Sequence, residues 1–260
     1  MNLLAVSDKY LNKNINFIMN SIIIEYDMKD AGLSIIKYYK LLDKKTIKSL
    51  DRINKIILPD NPKHGKNIVN KKIGIMQINN HNLKEGLKTG FMEARDKFIN
   101  LNNLDERNII SIKKDAFFVV GKVEHTIINE YIDFREKNIY TAYLLINNIE
   151  VYYNNGSMDI KQLGDEGLSE HKNYFLEFLK RFLKKAESFT REDTLKFLRL
   201  FIDKYKRLEL DEGYYREFKA GGKYVYKDGV RESINFRKDL NELDISYNYD
   251  ILIKLVTVIL

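Results

Sequence analysis

No cysteine occurs among the 260 residues. That excludes disulfides, thiol nucleophiles and cysteine-bound zinc, and a chain of this length needs no covalent staple to fold. Proline is almost missing too. The only two, Pro59 and Pro62, bracket the loop Leu58-Pro59-Asp60-Asn61-Pro62-Lys63-His64-Gly65-Lys66, the clearest break in the chain. There is no Ser/Gly linker, internal repeat or low-complexity tract. The longest apolar runs, such as Ile22-Ile23-Ile24 and Phe117 to Val120, are far too short to cross a bilayer. Met1 to Asn20 carries Asp8 and several lysines and asparagines, so it does not read as a secretory leader. The expectation is a cytoplasmic protein with no membrane partner. His64, His81, His125 and His171 lack metal-ligand spacing. Walker loop, nucleophile elbow and dinucleotide fingerprint are absent. Gly86-Leu87-Lys88-Thr89-Gly90 shares letters with a phosphate loop, but it falls mid-helix and lacks the Gly-Lys-Ser/Thr end.

What is present is enough for a sizeable core: 44% of residues are apolar and 12% aromatic, while 31% are charged. The formal charge of +7 suits a polyanionic partner without requiring one.

The spacing predicts an α+β protein. Ser21 to Tyr26 reads as a buried strand, and Leu33 to Leu42 and Lys44 to Asn54 as helices. Leu83, Leu87, Phe91, Ala94, Phe98 and Leu101 mark a long helix, with Asn82 and Glu85 as its capping pair. Its charged residues, Lys84, Lys88, Arg95 and Lys97 among them, read as an ordinary exposed face. Ile109 to Ile112 and Ala116 to Val120 predict a hairpin with Asp115 at or near its tip. Tyr140 to Ile146 and Ile149 to Tyr153 predict two more strands joined at Asn147-Asn148. Asn154-Asn155-Gly156 then turns the chain before Met158 to Ile160. From Glu170 the pattern becomes helical: Tyr174, Phe175, Phe178 and Phe182 form one stripe, Leu195, Leu198, Phe201 and Tyr205 another, capped by Thr190. The tail from Asp211 reads as irregular. Its Tyr214, Tyr215, Tyr224 and Tyr226, interleaved with basic residues, suit either packing or stacking on single-stranded bases. The division is an antiparallel sheet with packed helices over 1–168 and a helical region over 169–260.

Two segments carry the candidate chemistry. Ile22-Ile23-Ile24-Glu25-Tyr26-Asp27 and Ile109-Ile110-Ser111-Ile112-Lys113-Lys114-Asp115-Ala116-Phe117-Phe118-Val119 each put an aspartate at the edge of an apolar strand. On neighbouring strands two such carboxylates repel unless a divalent cation neutralises them. Magnesium suits that donor set, with water and phosphate oxygens completing the shell. Taken singly, Asp27 reads as a turn or cap residue and Asp115 as a solvated hairpin tip. Lys63, Lys66, Lys71 and Lys72 read either as phosphate contacts or as a solvated loop.

At these residues the chain resembles the palm of template-dependent polymerases. Asp27-Met28-Lys29-Asp30-Ala31-Gly32-Leu33-Ser34 is similar to motif A, as Asp-x-x-Asp-Ala-aromatic-x-Ser in reverse transcriptases and Asp-x-x-Ser-Leu-Tyr-Pro-Ser in family B DNA polymerases. Lys113-Lys114-Asp115-Ala116-Phe117-Phe118-Val119 resembles the family B motif C, Asp-Thr-Asp-Ser-Leu-Phe-Val. The resemblance, spanning about residues 20 to 165, implies a palm-like sheet and two-metal nucleotidyl transfer. It implies Asp27 and Asp115 as catalytic ligands of Mg2+ or Mn2+, with nucleic acid and nucleoside triphosphates as partners. Lys137-Asn138-Ile139-Tyr140 is similar to the Lys-x-Tyr element that touches primer. With Gly32, Lys71, Lys72 and Lys113, Lys137 and Tyr140 are thus implied nucleotide or nucleic-acid contacts. A compact polymerase-like chain also implies a phage or other viral source, acting in the host cytoplasm, with a replication protein as a possible partner. Departures are visible. Lys113 stands at the first motif C aspartate, and Gly32 at the aromatic gate against ribose. Motif B is not evident: Lys71-Lys72-Ile73-Gly74-Ile75-Met76-Gln77 lacks the expected Asn and Tyr-Gly. A catalytically inactive palm that binds nucleic acid or a replication partner is the rival expectation.

Overall fold

A computed structural model of the chain describes residues 3–6, 8–146, 149–161, 172–207, 209–210, 224–227 and 230–233. The described residues carry an α+β fold with antiparallel strands, divided into two compact units. Unit 1 comprises residues 1–12 and 23–139, and unit 2 residues 13–22 and 140–260.

In unit 1, short α1 (Leu3–Val6) and β1 (Lys9–Leu11) precede β2 (Phe17–Met28), whose C-terminal half lies here. Ile23, Ile24, Glu25 and Tyr26 are buried consecutively, the mark of a strand covered on both faces rather than one alternating against solvent. Helices α2 (Ala31–Tyr39), α3 (Lys44–Asn54), α4 (His64–Asn79) and α5 (His81–Leu101) follow. The chain then returns through the hairpin β3 (Ile109–Lys113) and β4 (Ala116–Val120), and later enters β5 (Phe134–Ile146). The strand order is β1-β3-β4-β2-β5, so β2 sits between the hairpin and β5. β4 runs antiparallel to β2 with Ile24 opposite Val119 and Asp27 opposite Ala116.

Helix α5 supplies the floor. Leu83, Leu87, Phe91, Ala94 and Phe98 recur at three- and four-residue spacing and are all buried. The Phe98 ring centre lies 4.4 Å from that of Phe134, 4.8 Å from Phe117 and 5.7 Å from Tyr26, tying helix to sheet. The α5 cap is Asn80, whose side chain accepts from the Leu83 N–H, rather than the expected Asn82. Asn82 lies inside the first turn, and the helix starts one residue after the true cap. The expected break at the prolines is a tight connection: Leu58 bridges Asn61, and α4 begins at His64 within the same unit. The lysines at 71 and 72 fall inside α4, not in a loop.

In unit 2, residues 17–22 of β2 and 140–146 of β5 lie beside β6 (Ile149–Asn154) and β7 (Ser157–Lys161), in the order β2-β5-β6-β7. The Leu145 N–H donates to the Asn16 carbonyl at 2.8 Å. β5 pairs with β6 from Ala142–Tyr153 to Ile146–Ile149, as the spacing predicts, though Asn147-Asn148 lies outside the described residues. Asn155 and Gly156, both at positive φ, make the two-residue turn into β7. Helices α6 (Lys172–Ala186) and α7 (Arg191–Lys206) close a second core, in which Phe178, Leu179, Phe182, Leu183 and Leu198 pack with Leu144, Val151 and Tyr153. Thr190 and Asp193 form a reciprocal capping box at the start of α7, as expected for Thr190. Most of the tail, Tyr214 and Tyr215 included, lies outside the described residues. Within it, Tyr224–Lys227 and Val230–Ser233 pair as the hairpin β8–β9, so part of the expected irregular tail is regular strand.

Candidate active site

Both aspartates lie in unit 1, Asp27 on a strand whose neighbour begins one residue after Asp115. Asp27 sits one residue before the end of β2, and Asp115 occupies the two-residue turn between β3 and β4. The Met28 N–H donates to the Asp115 carbonyl at 2.9 Å, which stitches the end of β2 to that turn. Burial first, and the neighbouring Asp27 charge second, push the Asp115 carboxyl above its ordinary range, against the pull of Lys114 and Lys66. Of the two carboxyls it is Asp115, in the turn beside the end of β2, that carries the unfavourable charge balance.

The turn itself is held by residues that the sequence pattern did not single out. Lys114 adopts a left-handed backbone conformation (φ 52°), costly for any residue with a Cβ. Its N–H donates to the Asp8 carbonyl at 2.7 Å, and its own carbonyl accepts from Arg95 Nη1 at 2.8 Å. Arg95 belongs to α5 and is 1% exposed. It also donates from Nε to the Ala5 carbonyl at 2.9 Å and pairs through Nη2 with Asp8 at 3.1 Å. This corrects the expectation that Arg95 lies on an exposed helix face. A usable signal existed: Arg95 continues Leu87 and Phe91 at four-residue spacing, on the apolar stripe. Burial draws the Arg95 guanidinium down from its ordinary value, and the Asp8 and Asp115 charges oppose that.

On the other side of β2, Lys137 of β5 reaches Glu25 at 2.9 Å and Asp27 at 3.6 Å. Glu25 is 2% exposed and accepts a second bond from the Asn138 amide at 2.6 Å. Burial alone would lower the Lys137 pKa, but Glu25 and Asp27 together raise it, so the ammonium is locked on. Lys137 thus neutralises a buried carboxylate and shares its remaining charge with Asp27. The lone charge in the run Ile22 to Tyr26 was the sequence signal for Glu25.

The other expected contacts scatter. Gly32, in the first turn of α2, lines a cavity of about 430 Å³ that Asp8, Lys66, Lys114 and Asp115 also line. A Cβ built on Gly32 would meet only Ile73, at 3.5 Å, so the backbone there leaves space. Lys71 and Lys72 are exposed on α4 and do not line this cavity. Lys113 lies over the Phe118 ring, 5.9 Å from its centre. Tyr140 belongs to unit 2, is buried, and donates its hydroxyl to Asp159 at 2.7 Å. Gly86 and Gly90 sit inside α5, as their rejection as a phosphate loop requires.

A magnesium ion here would draw on two carboxylates, Asp27 and Asp115, rather than on a richer cage. Among the described residues no group of three or more His, Asp and Glu side chains converges as a metal cluster. Two carboxylates, one carrying excess repulsion, match an ion that takes one or two carboxylates and leaves its other positions to water and phosphate. Among the described residues no helix is long and apolar enough to cross a membrane. A search of the curated proteins finds no match to this chain. A family model described as Bacteriophage PBS1 gene 130 protein matches residues 1–260, and the chain belongs to that phage protein family.

Proposed function

We propose that this chain is a palm-type nucleotidyltransferase, polymerase-like in the placement of its acids, with Asp27 and Asp115 as the residues that hold magnesium. One observation carries the reading: aspartates 88 positions apart in the chain come to the ends of adjacent strands, where the Asp27 charge adds to burial in raising the Asp115 carboxyl. The strand order supports it, with the first acid on the strand between the hairpin that bears the second acid and β5.

Bound magnesium would polarise a phosphoryl oxygen and lower the pKa of an attacking hydroxyl. The remaining roles belong to side chains of this protein. Asp27 and Asp115 present oxygens to the ion. Arg95 and the Asp8 carbonyl fix the turn that aims Asp115, so little reorganisation is left for the reaction. Lys137 balances Glu25, which leaves Asp27 with less than a full counter-charge.

The test is incorporation of labelled nucleotide, on primed and unprimed templates, with Mg2+ or Mn2+. Wild type should incorporate, while Asp27→Asn and Asp115→Asn should lose at least about a hundredfold. Equal activity in either variant removes the assignment. Loss through misfolding is separable. Because the folded Asp115 pKa is raised, its ionisation between the unfolded and folded values weakens the fold as pH rises, and the penalty persists at neutral pH. Asp115→Asn should therefore melt no lower than wild type at pH 7 in metal-free buffer.

The Lys137–Asp27 contact favours a second reading, a palm that binds nucleic acid or a replication partner without catalysis. A lysine already supplies Asp27 with positive charge. That reading predicts salt-sensitive retention of single strands without magnesium dependence.

A further inference from the structure

Helix α4 divides its residues among three faces. Gly65, Val69 and Ile73 turn to the core, four residues apart. Lys66, Asn70 and Gln77 line the cavity beside Asp115. The third face holds Asn67, Lys71, Gly74, Ile75 and Ile78, all exposed. Ile75 is 52% exposed and Ile78 81%, and neither joins the core cluster that takes Val69, Ile73 and Met76. Isoleucine is a middling helix former, so propensity does not account for two of them on a solvent face. Gly74, beside them, weakens the helix as well. Nothing lies within 4 Å of a Cβ built on it, so no packing inside the chain requires this glycine.

We propose that this face pairs with the same face of a second copy of the chain, the two α4 helices running antiparallel about a two-fold axis between positions 74 and 75. The residue pattern carries the inference. Lys71, Gly74, Ile75 and Ile78 follow one another at steps of three, one and three, a spacing that reads the same in both directions. In an antiparallel pair, position 71 therefore faces position 78 of the other copy, and 74 faces 75. Ile75 enters the notch left by the other copy's glycine. The Lys71 stem covers the other copy's isoleucine at 78 while its ammonium stays in water. Every rigid branched side chain thus meets a small or pliant one. The two Lys71 ammonium groups end about 10 Å apart along the axis, close to a Debye length at moderate salt, so their repulsion is screened. Other occupants fit less well. Two isoleucines are too little apolar area to hold a helix at a lipid surface, and a nucleic-acid backbone would leave both in water. The pairing uses a different face of α4 from the cavity and stands whether or not the aspartates are catalytic.

Analytical sedimentation of the whole chain tests this. One helix pair buries less than a standard interface, so the dimer should be weak and reversible, half-formed at about 0.1 mM. It should tighten as salt rises, because each chain carries a formal charge of +7. In a two-fold interface each substitution acts twice, so Gly74→Ala and Ile78→Gln should each weaken self-association at least about tenfold. In dilute solution, where wild type is monomeric, Gly74→Ala should keep a urea midpoint no lower than wild type, which separates loss of the dimer from loss of the fold. Thiols read the register, since the chain has no cysteine of its own. Lys71→Cys and Ile78→Cys proteins are mixed in equal amounts and oxidised with copper phenanthroline, and the products are separated by mass. The mixed disulfide should exceed the proportion that random encounter gives. A chain still monomeric at about 1 mM overturns the proposal. So does a dimer that loosens with salt, one that Gly74→Ala and Ile78→Gln leave at wild-type strength, or a random disulfide ratio. A monomer that instead uses Ile75 and Ile78 to bind anionic vesicles or a single-stranded oligonucleotide overturns it as well.

Discussion

Arg95 joins helix α5 to α1, to Asp8 and to the β3–β4 turn. Its guanidinium is buried, yet three of its contacts are polar: the Ala5 carbonyl, the Lys114 carbonyl and the Asp8 carboxylate. The planar fork satisfies all three directions at once, which an ammonium on a flexible stem does not. Removing it leaves two carbonyls without this donor and leaves the left-handed Lys114 turn less constrained. Arg95→Met should therefore cost about 2–4 kcal/mol in urea unfolding. Arg95→Lys should recover less than half of that. If Arg95→Lys is as stable as wild type, the fork is not what holds the turn. Asp27 and Asp115 could be singled out as candidate acids because each stands at the edge of an apolar run. Arg95 and Asp8 could not be, since their importance comes from meeting one another across about 90 residues of chain.

At the scale of elements, strands were legible as short apolar runs and helices where the period is clean. The second half of β5, β6, α3 and α5 lie where the sequence places them. Elements with little periodic signal were missed: α1, β1, the first half of β5, and α4, most of whose residues face solvent. The glycines of the helices were also unreadable from pattern, and they now divide sharply. A Cβ on Gly90 would sit 2.4 Å from Ile35 Cγ2 and 3.0 Å from the Tyr39 ring, and both belong to α2. Gly90 therefore lets α5 and α2 approach, and Ile35, fully buried, has little room to yield. Gly74, mid-way along α4, has nothing within 4 Å of such a Cβ. The same substitution should thus act with opposite signs. Gly90→Ala should destabilise by about 1–3 kcal/mol through overpacking, despite the better helix propensity. Gly74→Ala should stabilise by about 0.5–1 kcal/mol. Shifts of the same sign in the urea midpoints would show that α2 and α5 are not closely packed at Gly90.

At the scale of the whole molecule, the chain passes between units at three points: after Asn12, after Ile22 and after Ile139. No reading of composition along the chain finds such a division, because it depends on two long strands, β2 and β5, that each contribute to both units. Unit 2 consequently draws ten residues, Lys13 to Ile22, from far upstream. They are structural members of it. Phe17 and Met19 pack on its core, the Phe17 ring lies 6.3 Å from Phe182, and the Asn16 carbonyl accepts from the Leu145 N–H. A fragment of residues 140–260 would therefore lack an aromatic from its core and expose an edge of β5, an invitation to aggregate. It should unfold without a cooperative transition, or associate at micromolar concentration. Fusing residues 13–22 ahead of residue 140 through a short flexible linker should restore a cooperative melt and near-ultraviolet circular dichroism. The comparison isolates the strand, since only residues 13–22 and their linker differ between the two polypeptides. A cooperative, monomeric 140–260 fragment as stable as the fusion would mean that the upstream strand is dispensable to the second core.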